Sequence, residues 1–167
     1  MSQAKTRPVV SLSTLELDRW EQGTLYESAD ISFGKQMGLK GLGISYNEVP
    51  AGKSSCPFHN HHVEEELFII LEGEGTYRFG DERLPFKAGD VLGAPTGGRE
   101  TAHQIINTGA TVLEYLGVAN NAETEVCEYP DSGKFQVSSR IDANRRLRHC
   151  GREGQNHLEY WDGEPGA

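Results

Sequence analysis

From Leu39 to Tyr129 the chain never runs far without punctuation. Short apolar stretches are broken by Gly, Pro or Asp at intervals of about 8–12 residues, too short for packed helices and right for the strands of a sandwich or barrel. The predicted strands are 42–49, 58–62, 66–72, 75–79, 82–86, 90–94, 102–107 and 111–118, with a last one at 125–129. Gly80-Asp81 suits a two-residue hairpin turn, and Gly89, in the turn 87–90, stands where a positive φ is expected. With 167 residues, the length suits one domain.

The segments either side of this region read differently. Residues 1–38 form a polar N-terminal extension. In it Pro8, Val9, Val10 and Leu12 offer an edge strand, and Ser13 with Glu16 forms a capping box for one helical turn. Residues 131–167 form a polar, Arg-rich C-terminal extension, with a closing strand expected around 157–161. Its arginines, Arg140, Arg145, Arg146, Arg148 and Arg152, read as a solvated charged segment.

The net charge of -9 argues against nucleic acid, whose phosphates need a basic surface. Cys56, Cys127 and Cys150 are odd in number and lack CxxC spacing, so a disulfide framework is not expected and a reducing compartment fits. The N-terminal residues carry no signal-peptide core, and no run reaches the roughly 20 apolar residues of a membrane helix. The expectation is a soluble, cytoplasmic protein.

Chemistry concentrates in PFHNHHVEEELFIILEGEG, residues 57–75. Side chains alternate along a strand, so His59 and His61 share a face and His62 points away. Two imidazoles so placed can reach one metal ion, and a borderline divalent metal commonly takes a carboxylate as a third ligand. Glu64, Glu65 and Glu66 follow directly. Leu67 to Leu71 are all apolar, which predicts a strand buried on both faces, so parity alone leaves Glu65 and Glu66 both open. A carboxylate at the edge of such a strand is costly unless paired or bound. A second cluster places His103 on the same face as Ile105 and Asn107, as a candidate fourth ligand.

Taken together and in order, these residues resemble the cupin superfamily. Its first motif is matched by Gly52, His59, His61, Glu66 and Gly73, and its second by Gly89, Pro95, Gly97, His103 and Asn107. The spacing to Gly73 selects Glu66 over Glu65. Two departures stand out: six residues separate Gly52 from His59 where five is commoner, and residues 98–102 enlarge the loop before His103. The segments 128–134 (EYPDSGK) and 160–164 (YWDGE) are similar to a group of small bacterial single-domain cupins, some labelled sugar-phosphate isomerases by analogy.

The resemblance implies an all-β, double-stranded β-helix (jelly-roll) barrel over residues 39–130, with the C-terminal extension packing on it or on a partner subunit. It implies one divalent metal held by His59, His61, Glu66 and His103: iron, manganese, nickel, zinc, cobalt or copper. It also implies a homodimer. The function expected is a metal-binding protein acting on a small polar molecule such as a sugar or sugar phosphate, in isomerase or epimerase chemistry. The alternatives are an iron- or nickel-dependent dioxygenase and a non-enzymatic carbohydrate-binding or sensing module. Tyr46, Tyr77 and Gln104 are weak candidates for the barrel mouth. Arg99, in the enlarged loop, reads first as an exposed surface arginine, and Cys56 as a small buried thiol. No residue is assigned as catalytic acid or base.

Overall fold

The computed structural model describes residues 6–140, 142, 145–155, 157, 158, 160 and 162–165. Among the described residues thirteen strands follow one another with only two short 3-10 turns. They are β1 (Asp18–Gln22), β2 (Tyr26–Ser32), β3 (Leu42–Val49), β4 (Asn60–His61), β5 (Glu66–Glu72), β6 (Glu74–Phe79) and β7 (Glu82–Lys87). The rest are β8 (Val91–Ala94), β9 (His103–Ile106), β10 (Leu113–Asn120), β11 (Thr124–Tyr129), β12 (Lys134–Arg140) and β13 (Arg146–Arg152). The architecture is all-β, as the punctuation predicts.

One layer is a six-stranded antiparallel sheet, ordered β1-β2-β3-β10-β5-β8. The other is built from two pieces, β13-β12-β11-β4 and β7-β6-β9. They are stitched by an antiparallel bridge between His59 and His103, whose amides and carbonyls exchange hydrogen bonds of 3.1 and 2.7 Å. The core draws on both layers: Val49, Phe68, Ile70, Leu92, Leu113 and Tyr115 from the first, Tyr77, Phe86 and Ile105 from the second. Burying such side chains contributes about 1.5–3 kcal/mol each.

Gly73 shows why the chain can turn so sharply from β5 into β6. Its φ is +84°, and a Cβ there would stand 2.9 Å from the Val112 carbonyl oxygen and 3.0 Å from Leu113 Cα. Backbone conformation and lack of space both demand glycine.

Several expectations need correction. Residues 8–12 form no edge strand. Leu12–Thr14 is a single 3-10 turn, with Ser11 at its cap position and the Thr14 hydroxyl donating to the Ser11 carbonyl (2.9 Å). The edge strand is β1, exposed along its whole length and therefore without an apolar alternation to read. The strand predicted at 58–62 shrinks to Asn60–His61. The Leu67–Leu71 run is not buried on both faces: Phe68 and Ile70 point into the core, while Leu67 is 38% exposed. Arg140, Arg146, Arg148 and Arg152 are exposed, as a solvated segment should be, yet they belong to an ordered hairpin, β12–β13. Of the closing strand expected at 157–161, Glu159 and Trp161 lie outside the described residues, and His157, Leu158 and Tyr160 are in no strand.

Candidate metal centre

The fold brings His59, His61, Glu66 and His103 to one point between the layers. Glu66 comes from the first residue of β5, in the six-stranded sheet. The three histidines come from the opposite layer, His61 on β4, His103 at the start of β9, and His59 at the bridge between them. Their ligating atoms all lie within 4.8 Å of one another. Around Glu66 Oε2 stand His103 Nε2 at 3.1 Å, His61 Nε2 at 3.2 Å and His59 Nε2 at 3.9 Å. The side chains are largely but not wholly enclosed: His103 is 2% exposed, His61 11%, His59 12% and Glu66 21%.

Each ring is oriented by its surroundings. His59 Nδ1 lies 2.7 Å from the Pro57 carbonyl. A carbonyl only accepts, so Nδ1 carries the proton and the Nε2 lone pair faces Glu66. His103 packs against Phe68 and Tyr77, with ring centroids 5.8 and 6.2 Å away, and both of those residues belong to the core. His61 Nδ1, His61 Nε2 and His103 Nδ1 are buried without a hydrogen-bond partner. Buried polar atoms are nearly always satisfied, so orphaned imidazole nitrogens around a shared carboxylate need an explanation. Three imidazole nitrogens and one carboxylate oxygen form a donor set suited to a borderline divalent cation, with room for further ligands.

The electrostatics agree. Burial, followed by the neighbouring His103 and His61, pushes the His59 pKa down to about 4, so its ring is neutral. For His61, burial works downward, but the close approach of the Glu66 carboxylate, helped by the charges of Glu125 and Glu64, carries the net shift upward. Burial would raise the Glu66 pKa, yet His103 and His61 hold it well below the ordinary carboxylate range. Glu66 is therefore ionised, as a ligand must be.

The other sequence candidates separate. His62 points away and sits 3.3 Å from Glu128, with its side chain 44% exposed. Glu65 is exposed. The Tyr46 hydroxyl donates to Glu114 (2.7 Å), away from the cluster. The Tyr77 ring borders His103 while its hydroxyl donates to the Gly93 carbonyl (2.9 Å). Gln104 is occupied with the Cys56 carbonyl. Arg99 opens the exposed 3-10 turn Arg99–Thr101, which takes up the extra length of the loop before His103. Burial, and then the charge of Glu66, pushes the Cys56 thiol up to about 12, which keeps it protonated.

Two important residues escape sequence reasoning. Glu125, on β11, is 6% exposed, and its carboxylate accepts from the backbone amides of His62 (2.9 Å), Val63 (3.3 Å) and Glu64 (2.5 Å). It clamps the loop that leaves His61, and its Oε1 lies 3.9 Å from His61 Nδ1. Asn60, between the two histidines, is fully buried and donates to the Gly97 carbonyl (2.8 Å) and to Glu128 (2.9 Å). Glu125 had a signal in hindsight: Glu125, Cys127 and Tyr129 alternate along one face of β11, the face His61 shares.

Comparison with known proteins agrees with this geometry. Residues 45–119 match the family model described as the cupin domain. Over 71 residues the chain is 42% identical to an oxalate-binding protein of Thermotoga maritima, a match covering 42% of this chain and 55% of that one. The chain spans about half the length of the curated relatives it matches. A solved structure from Thermotoga maritima, described as a predicted oxalate decarboxylase, is 30% identical, with a TM-score of 0.58, over 68% of this chain and 99% of that one. One from Silicibacter pomeroyi, described as a sugar phosphate isomerase from a cupin superfamily, superposes with a TM-score of 0.75 over 92% of this chain and 98% of that one. At 19% identity the latter speaks for the fold alone. Motif order, jelly-roll layering and the match over the central strands agree, and the chain belongs to the cupin superfamily.

Proposed function

We propose that His59, His61, Glu66 and His103 hold one divalent transition metal, and that the protein acts there on a small polar molecule such as a sugar or sugar phosphate, in isomerase- or epimerase-like chemistry. The observation that carries this reading is the convergence of three imidazole Nε2 atoms on one ionised carboxylate oxygen, with Glu66, His59 and His61 each left partly exposed. When bound, such a metal supplies Lewis-acid polarisation of a carbonyl or hydroxyl oxygen. The chain's own part is to orient and exclude. Pro57 fixes the His59 tautomer, Phe68 and Tyr77 wall the inner side against water, and Glu125 holds the loop beyond His61.

A second reading has its own support. The oxalate-binding relative favours a module that binds a small chelating anion without turnover. Elemental analysis of protein purified without an affinity tag tests the metal directly, and about one equivalent per chain is expected. Protein that is metal-free and refuses added metal refutes the assignment. With metal bound, turnover of sugar phosphates supports the isomerase reading. Tight oxalate binding without turnover supports the second.

A further inference from the structure

The face of the second layer that carries His61 does not end at the metal centre. Direct cross-strand partners share a face, so it can be followed outward from β4 to β13. His61 pairs with Cys127, Cys127 with Gln136, and Gln136 with Cys150. By the same register Tyr129 lies opposite Lys134, and Lys134 opposite Arg152. On β12 and β13 this face therefore bears Lys134, Arg140, Arg146, Arg148 and Arg152. In a chain of net charge -9 that is an unusual concentration of cations.

The side chains agree with the register. Lys134 Nζ sits 5.3 Å from the Tyr129 ring centroid, and the Tyr129 ring stacks 6.2 Å from that of His59. One aromatic ring thus stands between the nearest cation and the metal centre. Arg148 Nε donates to Gln136 Oε1 (2.9 Å), and Arg152 Nε donates to the Ser132 carbonyl (3.2 Å). Both guanidinium groups are held through Nε, and among the described residues neither is hydrogen-bonded through its two terminal nitrogens. Among the described residues none of the five cations is in a salt bridge. Lys134 faces Arg152 and Arg140 faces Arg146 directly across the hairpin. Like charges directly opposite one another destabilise a sheet, so the arrangement calls for an anion.

We propose that this face of the β12–β13 hairpin is the subsite for the phosphate group of a phosphorylated small molecule whose other, polar end reaches the cluster of His59, His61, Glu66 and His103. This rests on the reading of that cluster as a metal-dependent small-molecule site. Arginine forks match phosphate oxygens in pairs. A ligand spanning from the cluster past Tyr129 needs a body between its two polar ends, which a phosphorylated polyol or sugar has. Oxalate, two carboxylates joined directly, is too short to use both.

The test is calorimetric titration of the full chain with inorganic phosphate and, separately, with oxalate. It is run on wild type, on the double variant Arg148→Gln/Arg152→Gln, on Lys134→Gln, and on Arg7→Gln as an exposed arginine elsewhere. Phosphate binding is expected to weaken roughly tenfold or more in the double variant, the loss of charge-assisted hydrogen bonds, and to hold in Arg7→Gln. Oxalate binding and metal content are expected to stay at wild-type level in all of them. Arg152→Gln removes a like charge opposed to Lys134 and Arg148→Gln changes an exposed side chain opposite Ser138, so neither should unfold the hairpin, and Lys134→Gln carries the test should the double variant fail to fold. Equal phosphate affinity in all variants, or no phosphate binding by wild type, overturns the subsite and leaves the metal reading standing. A double variant with altered mass in sedimentation and unaltered phosphate binding makes the face an interface between copies and overturns it equally. The His61→Ala variant separates the two readings: it should lose metal and keep phosphate affinity.

Discussion

Glu125→Gln is a demanding test of the account given for the metal centre. The native carboxylate uses both oxygens: Oε1 accepts from His62 and Val63, and Oε2 from Val63 and Glu64. Glutamine keeps one acceptor and turns an NH2 group toward donors that cannot accept. At least one hydrogen bond to a charged group is lost, about 1.5–3 kcal/mol, and a buried backbone N–H is left facing another donor. The expected cost is about 3 kcal/mol, and a domain of this size loses roughly 2–4 °C of melting temperature per kcal/mol. A thermal-denaturation midpoint roughly 6–12 °C below wild type is therefore expected. The loop clamped by Glu125 begins one residue after His61, so metal affinity should fall as well, by roughly 10–100-fold in competition with a chromogenic chelator, as for other groups that orient ligands. Glu123→Gln, an exposed acid on the approach to the same strand, should change neither readout. If Glu125→Gln melts with wild type and binds metal equally well, the carboxylate is a bystander and the account of how His61 is positioned fails.

Other expectations follow from single contacts. His61→Ala should lower metal occupancy far more than His62→Ala, measured by elemental analysis; equal losses would mean that the side-chain alternation was misread. Glu66→Gln should remove metal where Glu65→Gln does not, and the reverse would move the ligand by one residue. Gly73→Ala should destabilise by about 2 kcal/mol or more in denaturant titration, since alanine meets both the left-handed backbone and the Val112 carbonyl; a neutral effect would refute the close approach. Metal added at 100 times its dissociation constant should stabilise by about 2.7 kcal/mol, raising the melting point by roughly 5–10 °C, and no rise would mean that folded and unfolded chains bind it alike.

The sequence spoke most clearly where one face of a strand is buried and the other is not. The predicted strands 42–49 and 66–72 coincide with β3 and β5 because apolar residues and glycine punctuation bound them sharply. The four candidate ligands were legible because strand parity and motif spacing constrain them from two directions. Where β-structure is polar on both faces, nothing marked it. β1 is exposed at every residue, and β13 at all but Gly151. Both strands are defined by backbone pairing with a neighbour, to which side-chain patterning is blind. The ring of arginines therefore read as solvated charge, which it is, while the hairpin that aligns it stayed invisible. Glu125 failed for another reason. Its partners are backbone amides sixty-odd residues away in the chain; strand alternation puts Glu125 on the face of Cys127 and Tyr129, but nothing local says that a distant loop will bury its carboxylate.

Asn60 shows how closely ligand geometry depends on residues that are not ligands. It lies between His59 and His61, so its side chain points to the opposite face, where it is fully buried. There it donates to the carbonyl of Gly97, while the Gly97 amide donates back to the His61 carbonyl (3.0 Å). The loop that carries the chain toward His103 is thus tied to the segment 59–61 that carries the other two histidines. Asn60→Ala removes one bond to a backbone carbonyl and one to the Glu128 carboxylate, and opens a small cavity, for a cost of about 2–4 kcal/mol. Asn60→Asp keeps the shape but sets a carboxylate against a carbonyl and a second carboxylate, and should be worse than alanine. That ordering is the discriminating result, read from urea midpoints of the three proteins. A mere space-filling role for Asn60 would put aspartate ahead of alanine, and the tie between the loop and the histidine strand would then have to be sought elsewhere.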